Sequence, residues 1–462
     1  MNFKQFYLNC LSHASYYIGS GAEAVVIDPQ RDVDQYISEA ESHNQTIKYI
    51  IETHSHADFV SGHIELAERT GAQIVFGARA QTNFDVRKVS EGDVIEIGSL
   101  QFLFHETPGH TPEGITVVVK DSSDQSRPLK MFTGDTLFIG DVGRPDLIGS
   151  KGFTSEQMAT MLYESLHQKI LTYPDSTEVY PAHGAGSLCG KSLSKETWST
   201  LGEQKISNYA LRAESKEQFI ELVSSDQMEV PMYFPASASK NLQGAVPLNR
   251  LTAPLEFSAA DLSDFKGLVI DVRTVSEFGA GHLPGSINIG LGGQFASWAG
   301  TVVPIGTPIV IFAASKNQVD EAVMRLARVG IETVEGYLLH DTSNISLKEM
   351  PQVPVASVAE IVMGVEGIQL VDVRRPAEFA NGHAAGAVNL PLDRLSRDLA
   401  ELDNSKPTYV ICQSGYRSSL ASGILERAGF DSIMNVTGGT QAWIAAELPV
   451  ETTASVCQTS RN

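Results

Sequence analysis

Histidines and aspartates follow three short apolar runs in the first half of the chain, and their spacing predicts a metal site. The first group lies in residues 53–59, with the sequence THSHADF. His110 follows in a PGH segment and Asp135 in a TGD segment. Imidazole and carboxylate groups are ligands that transition metals commonly take in proteins. We therefore interpret the three segments as parts of one metal centre.

A strand-like run precedes each of these segments. Residues 47–53 are rich in β-branched side chains, and residues 102–104 and 131–132 are apolar. Such runs are typical of short strands, and side chains that do chemistry commonly lie in the loops at strand ends. We expect the three loops to lie along one edge of a sheet.

The segment 53–59 resembles the motif THxHxDH of the metallo-β-lactamase superfamily up to its last position, where Phe59 stands. Within that superfamily, the strings TPGHTPEG (107–114) and FTGDTLFIGDVGRPDL (132–147) are most similar to the persulfide dioxygenases. The resemblance implies an α/β fold, an N-terminal αββα metallo-β-lactamase sandwich, over residues 1–250.

Phe59 changes the number of metal ions and the ligands that the resemblance implies. In the two-metal hydrolases of the superfamily, such as glyoxalase II, the final histidine of the motif helps to hold the second ion. Without that imidazole, the ligands that remain are His54, His110 and Asp135. Two histidines and one carboxylate suit a single non-haem Fe(II) with open positions for a substrate and O2. We expect one Fe(II) per chain.

The superfamily positions that lose their metal are expected to keep a supporting role. These positions are His56, Asp58 and His183. Groups around a metal site commonly orient its ligands through hydrogen bonds. A lone histidine is more often a structural residue than a ligand, but here the histidines and aspartates occur in the superfamily's order and spacing, which argues against coincidence.

Three further residues are candidate substrate contacts. Arg144 is expected to contact the anionic part of the substrate, with a structural ion pair as the alternative. Cys189 and Lys191 follow a segment of small residues and could lie near the persulfide. A buried, inert thiol is the alternative for Cys189, because free cysteines are commonly buried.

The second half of the chain contains an internal repeat of about 100 residues. The string LVIDVR at 268–273 recurs as QLVDVR at 369–374, and both copies continue with Glu-Phe, Gly-His and an asparagine. This pattern resembles the rhodanese homology domain, a small α/β fold with a parallel sheet. We predict two such domains, 251–350 and 351–462, after a linker or extended arm between positions 231 and 254, where proline, serine, asparagine and glycine accumulate.

The two copies differ where the resemblance places the chemistry. In the second copy a strand-like run ends at Cys412, and four residues separate this cysteine from Arg417 at the start of an expected helix. Loop N–H groups at a helix N-terminus would stabilise a thiolate and a sulfur-bound oxyanion. In the first copy Ala313 and Gln318 occupy the same positions. The first copy is therefore predicted to carry no persulfide.

Together the resemblances imply an enzyme with two activities in sulfur metabolism. An Fe(II) dioxygenase would oxidise a low-molecular-weight persulfide with O2 to sulfite, and a rhodanese would transfer sulfur through Cys412 among persulfide, sulfite and thiosulfate. Two alternatives stay open: a glyoxalase II-like thioester hydrolase with a sulfurtransferase module, and a persulfide sensor without enzymatic activity. The carrier thiol and the direction of sulfur flow also stay open.

Composition restricts the partners further. The 462 residues are enough for about three domains. The 34 basic and 55 acidic residues give a net charge of −21, which argues against nucleic acid or an anionic membrane as a partner. Four scattered cysteines and the lack of an apolar run of about 20 residues favour a protein of the reducing cytoplasm. We expect a cytoplasmic homo-oligomer that acts on small molecules.

Overall fold

The computed structural model describes residues 1–147, 152–191, 193–225, 229–341, 345–364 and 367–452. These residues form two compact units. The first contains residues 1–251 with 326–330, and the second contains residues 252–325 with 331–462. In the described part of the chain, no helix is both long and apolar enough to cross a membrane.

The first unit is built on two six-stranded sheets. The first sheet contains, in spatial order, β1 (Asn2–Leu8), β2 (His13–Ser20), β3 (Glu23–Ile27), β4 (Thr46–Ile51), β5 (Gln73–Gly77) and β6 (Arg87–Val89). The second sheet has the order β12-β11-β10-β9-β8-β7, with β7 (Val94–Ile97), β8 (Leu100–Glu106), β9 (Ile115–Asp121), β10 (Lys130–Gly134), β11 (Glu178–Pro181) and β12 (Ser199–Thr200).

Helices cover the outer faces of both sheets. They are α1 (Asp34–Ser42), α2 (His63–Thr70), α3 (Ser155–Gln168), α4 (Leu201–Ser207), α5 (Lys216–Ser224) and α6 (Phe234–Gln243). Tyr36 of α1 and Leu66 of α2 pack on the first sheet, and Leu162 of α3 and Phe219 of α5 pack on the second. Helix α2 ends at Gly71, which takes the left-handed conformation, with φ 73°, that glycine adopts readily.

The inner faces of the two sheets form one apolar core. Val25 and Ile18 from the first sheet pack with Phe102, Val117 and Phe132 from the second. Strand β8 alternates buried and partly exposed residues, as expected for a strand with one face on this core. The layers therefore form the predicted αββα sandwich.

The second unit contains two five-stranded parallel sheets with the same topology. The first has the order β13-β17-β16-β14-β15, with β13 (Leu255–Glu256), β14 (Leu268–Asp271), β15 (Ile287–Asn288), β16 (Ile309–Ala313) and β17 (Val334–Leu339). The second has the order β18-β23-β22-β19-β21, with β18 (Gln352–Pro354), β19 (Gln369–Asp372), β21 (Val388–Asn389), β22 (Thr408–Ile411) and β23 (Ile433–Thr437), and a separate pair joins β20 (His383–Ala384) to β24 (Val450–Glu451).

The helices of the second unit alternate with these strands, as the repeat predicts. They are α7 (Ala259–Asp264), α8 (Val275–Ala280), α9 (Phe295–Val302), α10 (Lys316–Ala327), α11 (Val355–Gly364), α12 (Pro376–Ala380), α13 (Tyr416–Arg427) and α14 (Gly439–Ala445). The matching strand orders confirm that the two copies of the repeat share one α/β fold. We call the copies around β13–β17 and β18–β24 the first and second modules.

Candidate metal centre and cysteine loop

The three predicted ligands lie together, but they do not come from one sheet. His54 lies in the loop after β4 of the first sheet, whereas His110 and Asp135 follow β8 and β10 of the second. The expectation of one sheet edge was wrong, because local sequence shows that a strand ends but not which sheet it joins. The ligand atoms of all three residues lie within 4.8 Å of one another. Asp135 Oδ2 is 3.7 Å from His54 Nε2 and 3.3 Å from His110 Nε2.

Hydrogen bonds set the orientation of both imidazoles. His110 Nδ1 donates to the Arg144 carbonyl oxygen at 3.0 Å. The Thr53 hydroxyl donates to Asp28 Oδ2 at 2.8 Å, so it accepts from His54 Nδ1 at 3.0 Å. Each ring therefore carries its proton on Nδ1 and directs the lone pair of Nε2 toward Asp135, as metal-binding histidines commonly do. Motif spacing alone does not reveal the contributions of Thr53 and Asp28.

The carboxylate of Asp135 fits a metal ion. Its side chain is fully buried, and neither oxygen has a hydrogen-bond partner among the described residues. A buried ionised carboxylate without donors is costly in free energy, and a bound cation would compensate it. The observed set of two imidazoles and one carboxylate therefore has both the chemistry and the vacant lone pairs that a transition metal requires.

A small polar cleft opens beside these ligands. Its empty volume is about 170 Å³. Besides the three ligands it is lined by Thr53, Thr107, Thr111, Gly114, Ile115, Thr133 and Thr136. Among the lining threonines, the Thr111 hydroxyl has no hydrogen-bond partner in the described part of the chain, so it can donate to an anionic group.

His56, Asp58 and His183 form ion pairs around the centre. His183 Nε2 lies 3.3 Å from Asp58 Oδ2, and His56 Nε2 lies 3.1 Å from Asp28 and 3.5 Å from Glu52. Burial lowers the pKa of both imidazoles, but the neighbouring carboxylates outweigh burial and raise each pKa to about 9. Both imidazoles therefore lie in ion pairs, and the supporting role of these residues stays a prediction.

Phe59 lies beside a second set of possible ligands. The donor atoms of His56, Asp58 and His183 also lie within 4.8 Å of one another. The Phe59 ring is buried, 4.5 Å from the His56 ring. Phe59 therefore places a hydrocarbon ring where the superfamily motif has an imidazole.

Phe59→His is expected to raise the metal content from about one to about two ions per chain. The new imidazole would lie next to His56 and could complete a second set with Asp58 and His183. Metal analysis after loading with Fe(II) measures the change, with Phe59→Leu as the control that keeps one ion. A content of one in Phe59→His would show that the missing imidazole is not what excludes the second ion.

Arg144 and Lys191 make structural contacts. Both oxygens of Asp146 accept from the Arg144 guanidinium, at 2.6 and 2.7 Å, and this side chain is only 2% exposed. Lys191 Nζ donates to the carbonyl oxygens of Leu222 and Ser225, at the C-terminal end of α5. Cations are favourable at that end of a helix. These contacts favour the ion-pair alternative for Arg144. They place the Lys191 ammonium group at a helix end. Substrate binding by either residue stays a prediction.

The thiol of Cys189 lies beside the metal ligands. Its sulfur is within 4.8 Å of donor atoms of Asp135 and His183, and the residue is 1% exposed. Burial, reinforced by the carboxylates of Asp58 and Asp135, raises the pKa of the Cys189 thiol well above its usual value. The thiol is therefore protonated at neutral pH.

Cys412 directly follows β22 and begins the short loop that leads to α13. The Gly415 N–H donates to its sulfur at 3.1 Å, and the Ser418 hydroxyl donates at 3.4 Å. Gly415 has φ 109°, a conformation that favours glycine and lets the loop close around the sulfur. The loop donors face the sulfur, the arrangement predicted from the spacing of Cys412 and Arg417.

Arg417 pairs with Glu378, a residue outside the cysteine loop. Its guanidinium donates to both oxygens of Glu378 at 2.7 Å. Burial opposes ionisation of Glu378, but the bonds from Arg417 lower its pKa. Glu378 belongs to the Glu-Phe pair that both copies of the repeat share, and this recurrence was the feature of the sequence that could have identified it. The carboxylate offsets part of the positive charge at the cysteine loop.

The first module has Ala313 at the position of Cys412, and it contacts the helix that follows the cysteine loop. Its own loop is closed by Gln318, whose side-chain oxygen accepts from the Ala314 N–H at 2.8 Å. The Tyr416 hydroxyl of α13 donates to the Gly290 carbonyl at 2.8 Å. Gly293 lies against the Tyr416 ring, where a Cβ atom would come within 2.5 Å. The first module therefore supports the beginning of α13.

Two families of known proteins match the chain. The metallo-beta-lactamase superfamily matches residues 8–183, and the rhodanese-like domain matches residues 257–340 and 357–446. These matches cover the sandwich and both copies of the internal repeat.

Individual proteins match the same regions. The mouse persulfide dioxygenase ETHE1, a mitochondrial protein, is 31% identical over 240 residues, which is 50% of this chain and 84% of that protein. The crystal structure of a metallo-beta-lactamase from Staphylococcus aureus subsp. aureus COL is 32% identical, with a TM-score of 0.66, and covers 73% of this chain and 98% of its own. The protein YqhL of Bacillus subtilis is 40% identical over 84 residues, 18% of this chain and 67% of that protein.

Proposed function

Because this chain belongs to the metallo-β-lactamase superfamily, is homologous to the ETHE1 persulfide dioxygenases and carries two rhodanese-like domains, we propose that it is a bifunctional enzyme of sulfur metabolism. One activity is the oxidation of a thiol persulfide by O2 and water to sulfite and the free thiol. One O2 accepts the four electrons and supplies two of the sulfite oxygens, and water supplies the third. The other is sulfur transfer through Cys412. We assign the first activity to residues 1–250, no sulfur transfer to 251–350, and the second activity to 351–462.

The observation that carries the dioxygenase proposal is the set of His54, His110 and Asp135. An Fe(II) ion held by these residues would supply the activation of O2. The residues of the chain orient the ligands and exclude water. Thr53 and the Arg144 carbonyl hold the two imidazoles in one tautomer, and burial of the ligands keeps bulk water away from the reacting groups.

The sulfur-transfer proposal follows from the contacts of Cys412. Its thiolate attacks the sulfane sulfur of a donor, the S–S bond of the donor breaks, and a Cys412 persulfide forms. Sulfite then attacks the terminal sulfur, the new S–S bond breaks, and thiosulfate leaves with regeneration of the thiolate. The Gly415 N–H and the Ser418 hydroxyl stabilise the negative charge on sulfur at both stages.

A panel of persulfides tests the proposed function. We expect O2 uptake with at least one of glutathione persulfide, coenzyme A persulfide and cysteine persulfide, with sulfite or thiosulfate formed in proportion. Zinc in the purified protein, thioester hydrolysis and no O2 uptake would instead support the glyoxalase II-like alternative. Persulfide bound at Cys412 without any turnover would support the sensor.

Arg417→Ala is expected to slow sulfur transfer from thiosulfate about 10-fold, because the guanidinium contributes to binding of the anion. The loop donors remain, so the loss is smaller than on removal of Cys412. The variant also leaves the Glu378 carboxylate without its partner near an anionic substrate. Combining Arg417→Ala with Glu378→Gln removes this repulsion and should recover part of the rate. Equal rates for the single and double variants would contradict an electrostatic role of Glu378.

A further inference from the structure

The segment 231–250, which is most of the stretch 231–254 predicted to be a linker or extended arm, is a folded part of the first unit. We call it the strap. It contains α6 and is held to the rest of the unit by buried side chains. Arg31 donates to the Val246 carbonyl, and the Glu65 carboxylate accepts from the Leu248 N–H at 2.7 Å. Local composition could not predict these contacts, because they join residues that are distant in the sequence.

Asn241 of the strap contacts the loop that contains the first metal ligand. We call residues 54–62 the metal loop. The Asn241 amide nitrogen donates to the carbonyl oxygens of His56, at 2.8 Å, and Phe59, at 2.7 Å. Its amide oxygen accepts from the Ser61 N–H at 2.8 Å. The side chain is 1% exposed, and both of its N–H groups and its oxygen are used.

These three bonds matter because the metal loop is buried and has no regular secondary structure. A buried backbone group without a hydrogen bond costs free energy, so an irregular buried loop needs partners from elsewhere. Other side chains supply some of them, as Glu113 does by accepting from the Ser55 N–H at 3.1 Å. Asn241 supplies three, on both sides of Asp58. The path of the chain from His56 through Ser61, which begins two residues after His54, therefore depends on Asn241.

We propose that Asn241 is a positioning residue of the metal centre. It touches none of the three ligands and acts through the metal loop, where it holds the backbone that presents His54. This inference rests on the proposed metal centre but not on the identity of the substrate. It makes the strap, which begins about 50 residues after His183 in the sequence, part of the metal-binding structure.

Asn241→Asp tests the proposal with almost no change of shape. A carboxylate can still accept from the Ser61 N–H, but its second oxygen faces the carbonyl oxygens of His56 and Phe59 and repels them. We expect transfer of iron to a chromogenic Fe(II) chelator to become about 10- to 100-fold faster, the range in which outer contacts affect metal sites. The visible absorption bands of the cobalt-substituted protein should also shift.

Asn288→Asp is a matched control in the first module. The Asn288 amide nitrogen donates to the carbonyl oxygens of Asp271 and Arg273, both at 3.0 Å. Like Asn241, Asn288 is 1% exposed. The same chemical change is made there, so the two variants should lose similar stability. Iron transfer and the cobalt spectrum should stay as in the wild type for Asn288→Asp.

Two outcomes would overturn the proposal: equally fast iron loss from both variants, or a wild-type rate and cobalt spectrum in Asn241→Asp. Should Asn241→Asp not fold, Asn241→Ala removes the three bonds without introducing repulsion, and it is expected to release iron at a rate between those of the wild type and the aspartate variant. A wild-type rate in Asn241→Ala would equally contradict the proposal. Metal retention is measured without substrate, so failure of the persulfide proposal would leave this test intact.

Discussion

Replacing His54, His110 or Asp135 with alanine is expected to reduce persulfide-dependent O2 uptake more than about 100-fold. Loss of a metal ligand should reduce activity more than loss of a residue that only hydrogen-bonds to a ligand. Each variant removes one of three donors whose atoms lie within 4.8 Å of one another. Iron content should fall together with O2 uptake. An oxygen electrode and metal analysis of the same preparations measure both quantities.

His105→Ala provides a matched control for these variants. His105 lies in β8, the strand that leads to His110, but its ring bonds to Glu91 and Tyr173. Its replacement should leave iron content and O2 uptake close to the wild-type values. Full iron content and uptake after loss of any of the three ligands would refute the proposed centre.

Cys412→Ser is expected to reduce sulfur transfer from thiosulfate below about 1% of the wild-type rate, because a hydroxyl cannot form a persulfide. O2 uptake should change little, since the iron ligands lie in the other unit. With excess persulfide the wild-type protein should release mainly thiosulfate, because covalent linkage raises the concentration of sulfite near the Cys412 persulfide. The variant should accumulate sulfite instead. Sulfite and thiosulfate are quantified together after a fixed uptake of O2.

Ala313→Cys, made in the Cys412→Ser protein, is the control for position. The new thiol would lie in the corresponding loop of the first module, where the Gln318 side chain already occupies the Ala314 N–H. Sulfur transfer should not return. If the wild type and Cys412→Ser release equal amounts of sulfite, the cysteine site runs in the other direction, from thiosulfate toward persulfide.

Local sequence was enough to predict the fold class and the principal candidate residues. The sandwich was expected from motifs that resemble the metallo-β-lactamase superfamily, and the repeated α/β modules from an internal repeat that resembles the rhodanese homology domain. The residues proposed as ligands and the cysteine loop lie in short motifs, so their spacing along the chain was visible. The homology to persulfide dioxygenases and the rhodanese-like domains, both expected from these motifs, are confirmed.

Tertiary structure alone decided which groups support those residues. The pairing of Glu378 with Arg417, the support of His54 by Thr53 and Asp28, and the position of Lys191 on a helix end all require the folded chain. Asn241 is the extreme case, since it lies 180 residues from the Ser61 N–H that it accepts from. Periodicity and motif spacing describe neighbours in sequence, whereas a hydrogen bond between distant segments depends on which buried backbone groups the fold leaves without partners.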